Sequence, residues 1–353
     1  MNERKTARQS NLELLRILAM CMIICCHFVT YNNFGPTDVL SDKMLALSML
    51  RLGGKLGVVL FVMITGYFLL DKPFRWRRII SLSRQTIYFS VVVAILAFLF
   101  EETKPDLLGV LKIMFPLVME NYWFPTDFAI ILLLSPALNL LVHNINRRNL
   151  LFGVLGSITL IGFPIIVPDV KNSVIGLVLA YILGAFIQKY RLNFSNIKLL
   201  AVLVLVVVAT VVITGLLITE SRSSEFIAGF RLFFVTGFNV SAYSAAFLIF
   251  MIFKQWEFGN IKIINLIAST TFGVYLFHDS RAFRLYMWHE IIDPTRWTGL
   301  SLVVGLSLTV ISVFAVGMVL DILRQMLFLM VSNVIRKLKP KKMSLSEMGT
   351  TNF

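Results

Sequence analysis

Charge is scarce in this sequence. Asp, Glu, Lys and Arg make up 15% of its 353 residues, against about 25% in ordinary soluble domains, and 58% of the residues are hydrophobic. A water-soluble fold of this length would lack polar surface to cover itself, whereas a helical bundle in lipid is apolar outside as well as inside. Cysteine is equally sparse. Cys21, Cys25 and Cys26 are the only three and all lie in the first apolar segment, so no extracellular disulfide framework can be built. The run from Cys21 to His27 has a superficial metal-ligand look, but at about 100° per helical residue Cys25 and His27 diverge by about 200°. That divergence argues against a zinc site built on this helix alone.

Motifs of soluble catalysis are missing too. Gly53-Gly-Lys55 lacks the spacing of a phosphate-binding P-loop. No Gly-x-Gly-x-x-Gly follows a strand, and no Gly-x-Ser-x-Gly elbow is present. Acidic residues are outnumbered by basic ones, 19 to 33, giving a formal net charge of +14. In a soluble protein that excess would suggest nucleic acid. Here the basic residues gather in short loops between apolar runs, which reads as membrane topology and headgroup contact, and no nucleic-acid partner is expected.

What the sequence has is long apolar runs. Crossing a ~30 Å hydrocarbon core takes roughly 20 helical residues, and ten such segments are expected, near 12–32, 55–71, 79–100, 124–142, 150–168, 173–188, 199–219, 229–253, 263–279 and 299–321. The second and sixth are short, and Leu107 to Met119 reads as an additional half-helix or a re-entrant piece before Tyr122. The fold expected is an all-α polytopic transmembrane helical bundle of about ten spans. The first segment reads as a retained span, because it is too long for a removable signal peptide.

Basic residues alternate across these spans. One side takes the amino terminus, five basic residues from Lys72 to Arg84, Arg147 with Arg148, three from Lys189 to Lys198, Lys254 with Lys262, and the tail from Arg336 to Lys342. Both termini are therefore expected in the cytoplasm, consistent with an even span count and a multi-pass protein of the inner or plasma membrane. Residues 1–335 read as one transmembrane domain, and 336–353 as a polar, disordered cytoplasmic tail.

The first span carries Arg16 and His27 within a largely apolar helix. An arginine at a helix centre costs roughly 2.5 to 3.5 kcal/mol on insertion scales, so such residues tend to face the bundle interior and serve a site. Eleven residues leave the two side chains about 20° apart in azimuth and about 16 Å apart in depth. They line one wall. A cation near the cytoplasmic entrance suits an anionic donor, and a histidine farther out, with an unperturbed pKa of ~6.5, suits proton removal from an acceptor hydroxyl. The plainer alternative is that Arg16 snorkels to the inner headgroups and His27 is a packed polar residue.

Arginine, ten residues and histidine in an amino-terminal span resembles the signature of the acyltransferase-3 family, integral membrane enzymes that O-acetylate bacterial surface polysaccharides. Phe61-Val-Met-Ile-Thr65-Gly66, continued by Tyr67, is similar to the family's Phe-Phe-x-x-Ser-Gly motif, with Val62 and Thr65 as departures. Arg75 and Arg78 match its Arg-x-x-Arg pair, and the stretches Tyr122-Trp123-Phe124 and Thr271 to Asp279 also look like family members. The resemblance runs from Asn11 to about Asp321. It implies transfer of an acyl group, most simply acetyl, from cytoplasmic acetyl-CoA to a sugar hydroxyl of a surface polysaccharide or its lipid-linked precursor. His27 and Arg16 would be catalytic, with His27 acting as base or as transient acyl carrier. Arg75 and Arg78 would bind the donor phosphates, with guanidinium forks matching phosphate oxygens. No metal is implied.

Candidates for the acceptor side are Thr65, Gly66, Tyr67, Glu120, Asn121, Trp123, His278 and Asp279. Several of these have plain structural readings: Gly66 permits close helix approach, and Trp123 fits an interfacial belt. His278 and Asp279 are sequence neighbours on a helix and diverge by about 100°, so they are poorly placed to bond each other. His143 and His289 are expected in loops. Two rival functions are a glycan-lipid transporter or flippase and a sensor that shares the fold.

Overall fold

A computed structural model describes residues 9–101, 105–162, 173–295 and 297–338. The described residues are helical with no strand. In chain order the helices are α1 (Ser10–Tyr31), α2 (Asp42–Leu69), α3 (Trp76–Glu101), α4 (Leu107–Met114), α5 (Trp123–Asn144), α6 (Arg147–Gly162), α7 (Ser173–Tyr190), α8 (Asn196–Glu220), α9 (Glu225–Phe230), α10 (Val240–Gln255), α11 (Lys262–His278), the short α12 (Arg284–Tyr286) and α13 (Gly299–Leu338). Among the described residues, eight stretches are long and apolar enough to cross a membrane. These are α1, α2, α3, α5, α7, α8, α13 and the stretch Glu225–Gln255. The all-helical membrane architecture is therefore established. At 16 and 17 residues, α6 and α11 are a little shorter.

Several expected boundaries differ, each for a local reason. The second span begins 13 residues earlier than 55, at Asp42, because the Ser41 hydroxyl caps the helix by accepting from the Met44 amide at 3.1 Å. The eighth is not one helix from 229. α9 ends at Phe230, a single 3₁₀ turn covers Phe233–Val235, Gly237 takes a positive φ of 77°, and α10 starts only at Val240. Asn239 starts it by accepting from the Ala242 amide at 2.9 Å. The half-helix read from Leu107 is α4, capped by Asp106 and ending at Met114. The last helix does not stop at 321 but continues to Leu338. The end of the fifth expected span, from residue 163, and the tail from residue 339 lie outside the described residues. His143 lies in the last turn of α5, 3.4 Å from Asp71, and His289 in a single π turn, Met287–Ile291, so neither is in the loop expected.

The core is built on α1, α2 and α7. Glycine makes the tight crossings possible: a Cβ at Gly66 would fall on the Tyr181 carbonyl, and one at Gly184 on that of Met63, so α2 and α7 meet backbone to backbone. A methyl group at Gly53, Gly54 or Gly57 would likewise strike Met22, Cys26 or Ala19, which brings α2 against α1. The start of α1 is tied to the α10–α11 connection, where Ser10 donates to Asn265 at 3.0 Å and Asn11 to the Phe253 carbonyl at 2.9 Å. At the periphery, α8 and α13 leave large apolar side chains such as Leu205, Leu216 and Leu308 exposed. Such surfaces suit hydrocarbon and not water.

Candidate functional site

Two polar regions lie along α1, one at each end. At the basic end, Arg16 lines a cavity of about 670 Å³ whose wall also carries Arg75 from the loop before α3, Arg77 and Arg78 from its first turn, Thr65 from α2 and Thr271 from α11. Four arginines thus line one volume. Arg16 is bridged to Glu13 at 3.1 Å, one turn away on the same helix, and Arg78 donates to the Pro73 carbonyl at 2.9 Å, which fixes the loop between α2 and α3. Gln85 and Ser81 add neutral hydrogen-bonding groups, and Phe61, Phe124 and Phe272 supply an apolar wall. Guanidinium clusters beside aromatic surface suit a ligand that joins phosphates to an apolar arm.

At the other end, His27 is half-buried, and its Nε2 lies 4.0 Å from the Asp279 carboxylate. Asp279 caps α11 and is held from both sides. Its Oδ1 accepts from the Tyr31 hydroxyl at 2.8 Å and from Arg284 at 3.3 Å, and its Oδ2 accepts from the Tyr275 hydroxyl at 2.6 Å. Arg284 also donates to the Tyr31 oxygen at 2.9 Å, closing a ring of Tyr31, Asp279 and Arg284. The carboxylate is therefore fixed in position. The other ring nitrogen of His27, Nδ1, is buried and has no hydrogen-bond partner. An imidazole with a carboxylate beside one nitrogen and no partner on the other is arranged, in the tautomer that carries its proton on Nε2, to accept a proton at Nδ1 and be stabilised once charged.

His278 does not use Asp279. Its Nδ1 is 2.6 Å from the Val274 carbonyl, to which it donates, and its ring centroid is 5.0 Å from that of His27. The neighbouring histidine and aspartate of α11 diverge, and Asp279 turns instead toward α1.

The two regions are joined by α11. Ala268, Thr271 and Phe272 line the basic cavity, Tyr275 follows one turn on, and Asp279 one turn after that. The Phe124 ring, 5.4 Å from that of Tyr275, belongs to the cavity wall as well. A stripe of α11 therefore runs parallel to the Arg16–His27 stripe of α1.

The remaining sequence candidates separate. Thr65 lines the basic cavity, and its hydroxyl donates to the Phe61 carbonyl at 3.0 Å. Gly66 faces α7 and Tyr67 packs on Phe68 and Phe250, so both sit in helix packing and not on the cavity wall. Glu120 is exposed in the loop before α5, with a positive φ of 48°. Asn121 is buried and donates to Ser90 at 3.1 Å. Trp123 lies beneath the ammonium group of Lys55, 3.9 Å from the ring centroid. Tyr31, Tyr275 and Lys55 were not singled out from the sequence as site residues. Tyr31 and Tyr275 stand four residues from His27 and Asp279, the spacing that stacks side chains along one helix face.

A family model described as an acyltransferase domain matches residues 9–320. No curated protein and no solved structure matches the chain.

Proposed function

The chain belongs to the acyltransferase-3 family, and from that premise we propose that it transfers an acetyl group from cytoplasmic acetyl-CoA to a sugar hydroxyl of a bacterial surface polysaccharide or its lipid-linked precursor. The observation that carries this reading is a single helix, α1, with Arg16 in a four-arginine cavity and His27 beside Asp279 at its other end. Coenzyme A has its phosphates at the opposite end from its thioester. A donor lying along α1 would place its phosphates among Arg16, Arg75, Arg77 and Arg78 and extend its acyl group toward His27.

In this mechanism His27 Nδ1 takes the proton of the acceptor hydroxyl as the oxygen bonds to the thioester carbonyl carbon. The tetrahedral adduct then collapses, the carbon–sulfur bond breaks, and the imidazolium returns the proton to the departing thiolate. The products are an acetyl ester and free coenzyme A. Asp279, fixed by Tyr31, Tyr275 and Arg284, stabilises the imidazolium between the two proton transfers.

The topology that suits this chemistry has ten crossings, with α6 and α11 counted, and both termini in the cytoplasm of a plasma or inner membrane. Seventeen helical residues reach about 26 Å, close to the hydrocarbon thickness. Orientation rests on the basic residues of the α2–α3 connection, which would lie on the side where acetyl-CoA is made.

Mass spectrometry of surface glycans from cells with and without the gene tests the reading. Loss of about 42 Da (one acetyl in place of a hydroxyl hydrogen) per modified repeat is expected when the gene is removed. The loss should be restored by the wild-type chain and not by His27→Ala at equal protein level. Identical glycan masses in all four strains would refute it.

A further inference from the structure

Two cations on α2, Arg51 and Lys55, take no part in the chemistry described above. They are one helical turn apart, about 6 Å along the axis, and so share a face. That face looks at the end of α1: Arg51 donates to the Val29 carbonyl at 3.3 Å, and both cations act electrostatically on Cys26, which precedes His27. Arg51 also lines a second cavity, of about 310 Å³, whose wall includes Thr30, Tyr31, Asn32, Asn33 and His289. Tyr31 is the residue that bonds Asp279, so this cavity adjoins the histidine end of the site.

Neither cation is neutralised. Among the described residues no carboxylate lies within ion-pair distance of Arg51 or Lys55. The Nε of Arg51 is buried without a hydrogen-bond partner. The ammonium of Lys55 stands over the rings of Trp123 and Phe238, 3.9 and 4.6 Å from their centroids, which stabilises the charge but leaves its N–H groups unused. The carboxylates that act on Lys55 are Asp127 and Asp279, and both are engaged elsewhere. Asp127 is bonded to Ser173, and Asp279 to Tyr31, Tyr275 and Arg284.

Like charges four residues apart on a helix repel, and unpaired cations in a membrane span are costly enough that they usually mark a ligand or ion path. An anion between them removes both penalties. We infer that Arg51 and Lys55 clamp an oxyanion carried by the acceptor, either the carboxylate of an acidic sugar or the phosphate that joins a sugar to its lipid. The inference rests on the reading of this end of α1 as the acceptor side. Arg51 receives the anion from the second cavity, and Lys55, one turn deeper on the same face, holds it from the side nearer His27.

Binding is measured on the full chain in lipid nanodiscs without acetyl-CoA, using three probes: a uronate-containing oligosaccharide, its carboxyl-reduced neutral counterpart, and the neutral sugar on a polyprenyl diphosphate. At least one anionic probe is expected to bind ten-fold or more tightly than the neutral one. Preference for the uronate names the sugar carboxylate as the source, and preference for the diphosphate names the carrier. Arg51→Gln and Lys55→Gln should each abolish the preference. The charge-conserving pair Arg51→Lys and Lys55→Arg should keep most of it, which separates lost charge from lost folding. His27→Ala should also keep it, so a failure of acyl transfer is read separately from a failure of the clamp. Equal binding of all three probes, no binding of any, or an unchanged preference in the Gln variants overturns the inference.

Discussion

His27 on α1 and Asp279 at the end of α11 place an imidazole Nε2 and a carboxylate oxygen 4.0 Å apart inside the bundle. The distance is that of a charge contact and is longer than a hydrogen bond, so the carboxylate acts mainly on the protonated imidazole. Around it, Tyr31 and Tyr275 each contribute a hydroxyl from one turn away on the same two helices. The pair is thus a four-residue unit made of two i, i+4 couples facing each other.

Loss of the base should be more severe than loss of its carboxylate. General acid–base catalysis typically contributes 10²–10⁴-fold, so His27→Ala is expected to lower kcat by at least that range in purified protein. Asp279→Asn keeps the shape and removes the charge, and should cost about 10-fold or more in kcat with little change in donor KM. A variant at either position with wild-type kcat would contradict the assignment.

The arginine cavity should control donor binding and not chemistry. A hydrogen bond to a charged group contributes about 1.5–3 kcal/mol, so removing one phosphate contact is expected to raise the acetyl-CoA KM by about 10- to 100-fold. Arg75→Ala and Arg78→Ala should each do so, with the effect shrinking as ionic strength rises. Steady-state kinetics at two salt concentrations checks this, and an unchanged KM in both variants would place the donor elsewhere.

The crossing of α2 and α7 depends on Gly66 and Gly184, where each helix meets the other's backbone. Gly66→Val or Gly184→Val must push the helices apart. Overpacking of this kind costs typically 1–3 kcal/mol, and here the atoms struck are main chain, which cannot rotate aside. Thermal unfolding in detergent should show a clear fall in Tm for both, whereas Gly153→Ala, with open space around its Cβ position, should leave Tm near wild type.

Asp321 is a structural counterpart to Asp279. It is fully buried on α13 and accepts from Arg324 at 2.7 Å, Gln85 at 2.9 Å and Gln325 at 2.8 Å, with Gly273 of α11 leaving room for its carboxylate. Asp321→Ala strands a partly buried guanidinium, and breaking a buried pair costs about 3–5 kcal/mol. The expected result is a large drop in folded protein by size-exclusion fluorescence. Recovery is expected in Asp321→Ala/Arg324→Leu, where no charge is left unpaired.

Much of the molecule was legible along the chain. Scarce charge and repeated apolar runs of about 20 residues require a helical membrane protein, because an unpaired backbone cannot lie in hydrocarbon. The 3.6-residue period puts Arg16 and His27 on one stripe, and the structure has both facing interior cavities or contacts. These are local properties, fixed by spacing within one helix.

What tertiary structure decided lies between helices. Nothing in the run Phe277-His278-Asp279 says that the aspartate turns to α1 while the histidine stays on the Val274 carbonyl. Nor does the sequence say that Gly66 meets the Tyr181 carbonyl of α7, or that Lys55 rests on Trp123 from a helix far along the chain. Periodicity gives the direction of a side chain from its own axis. The partner it meets depends on where two axes cross, and that is set by backbone contacts such as Gly66 with Tyr181 and Gly184 with Met63, which involve every residue of the packed bundle at once.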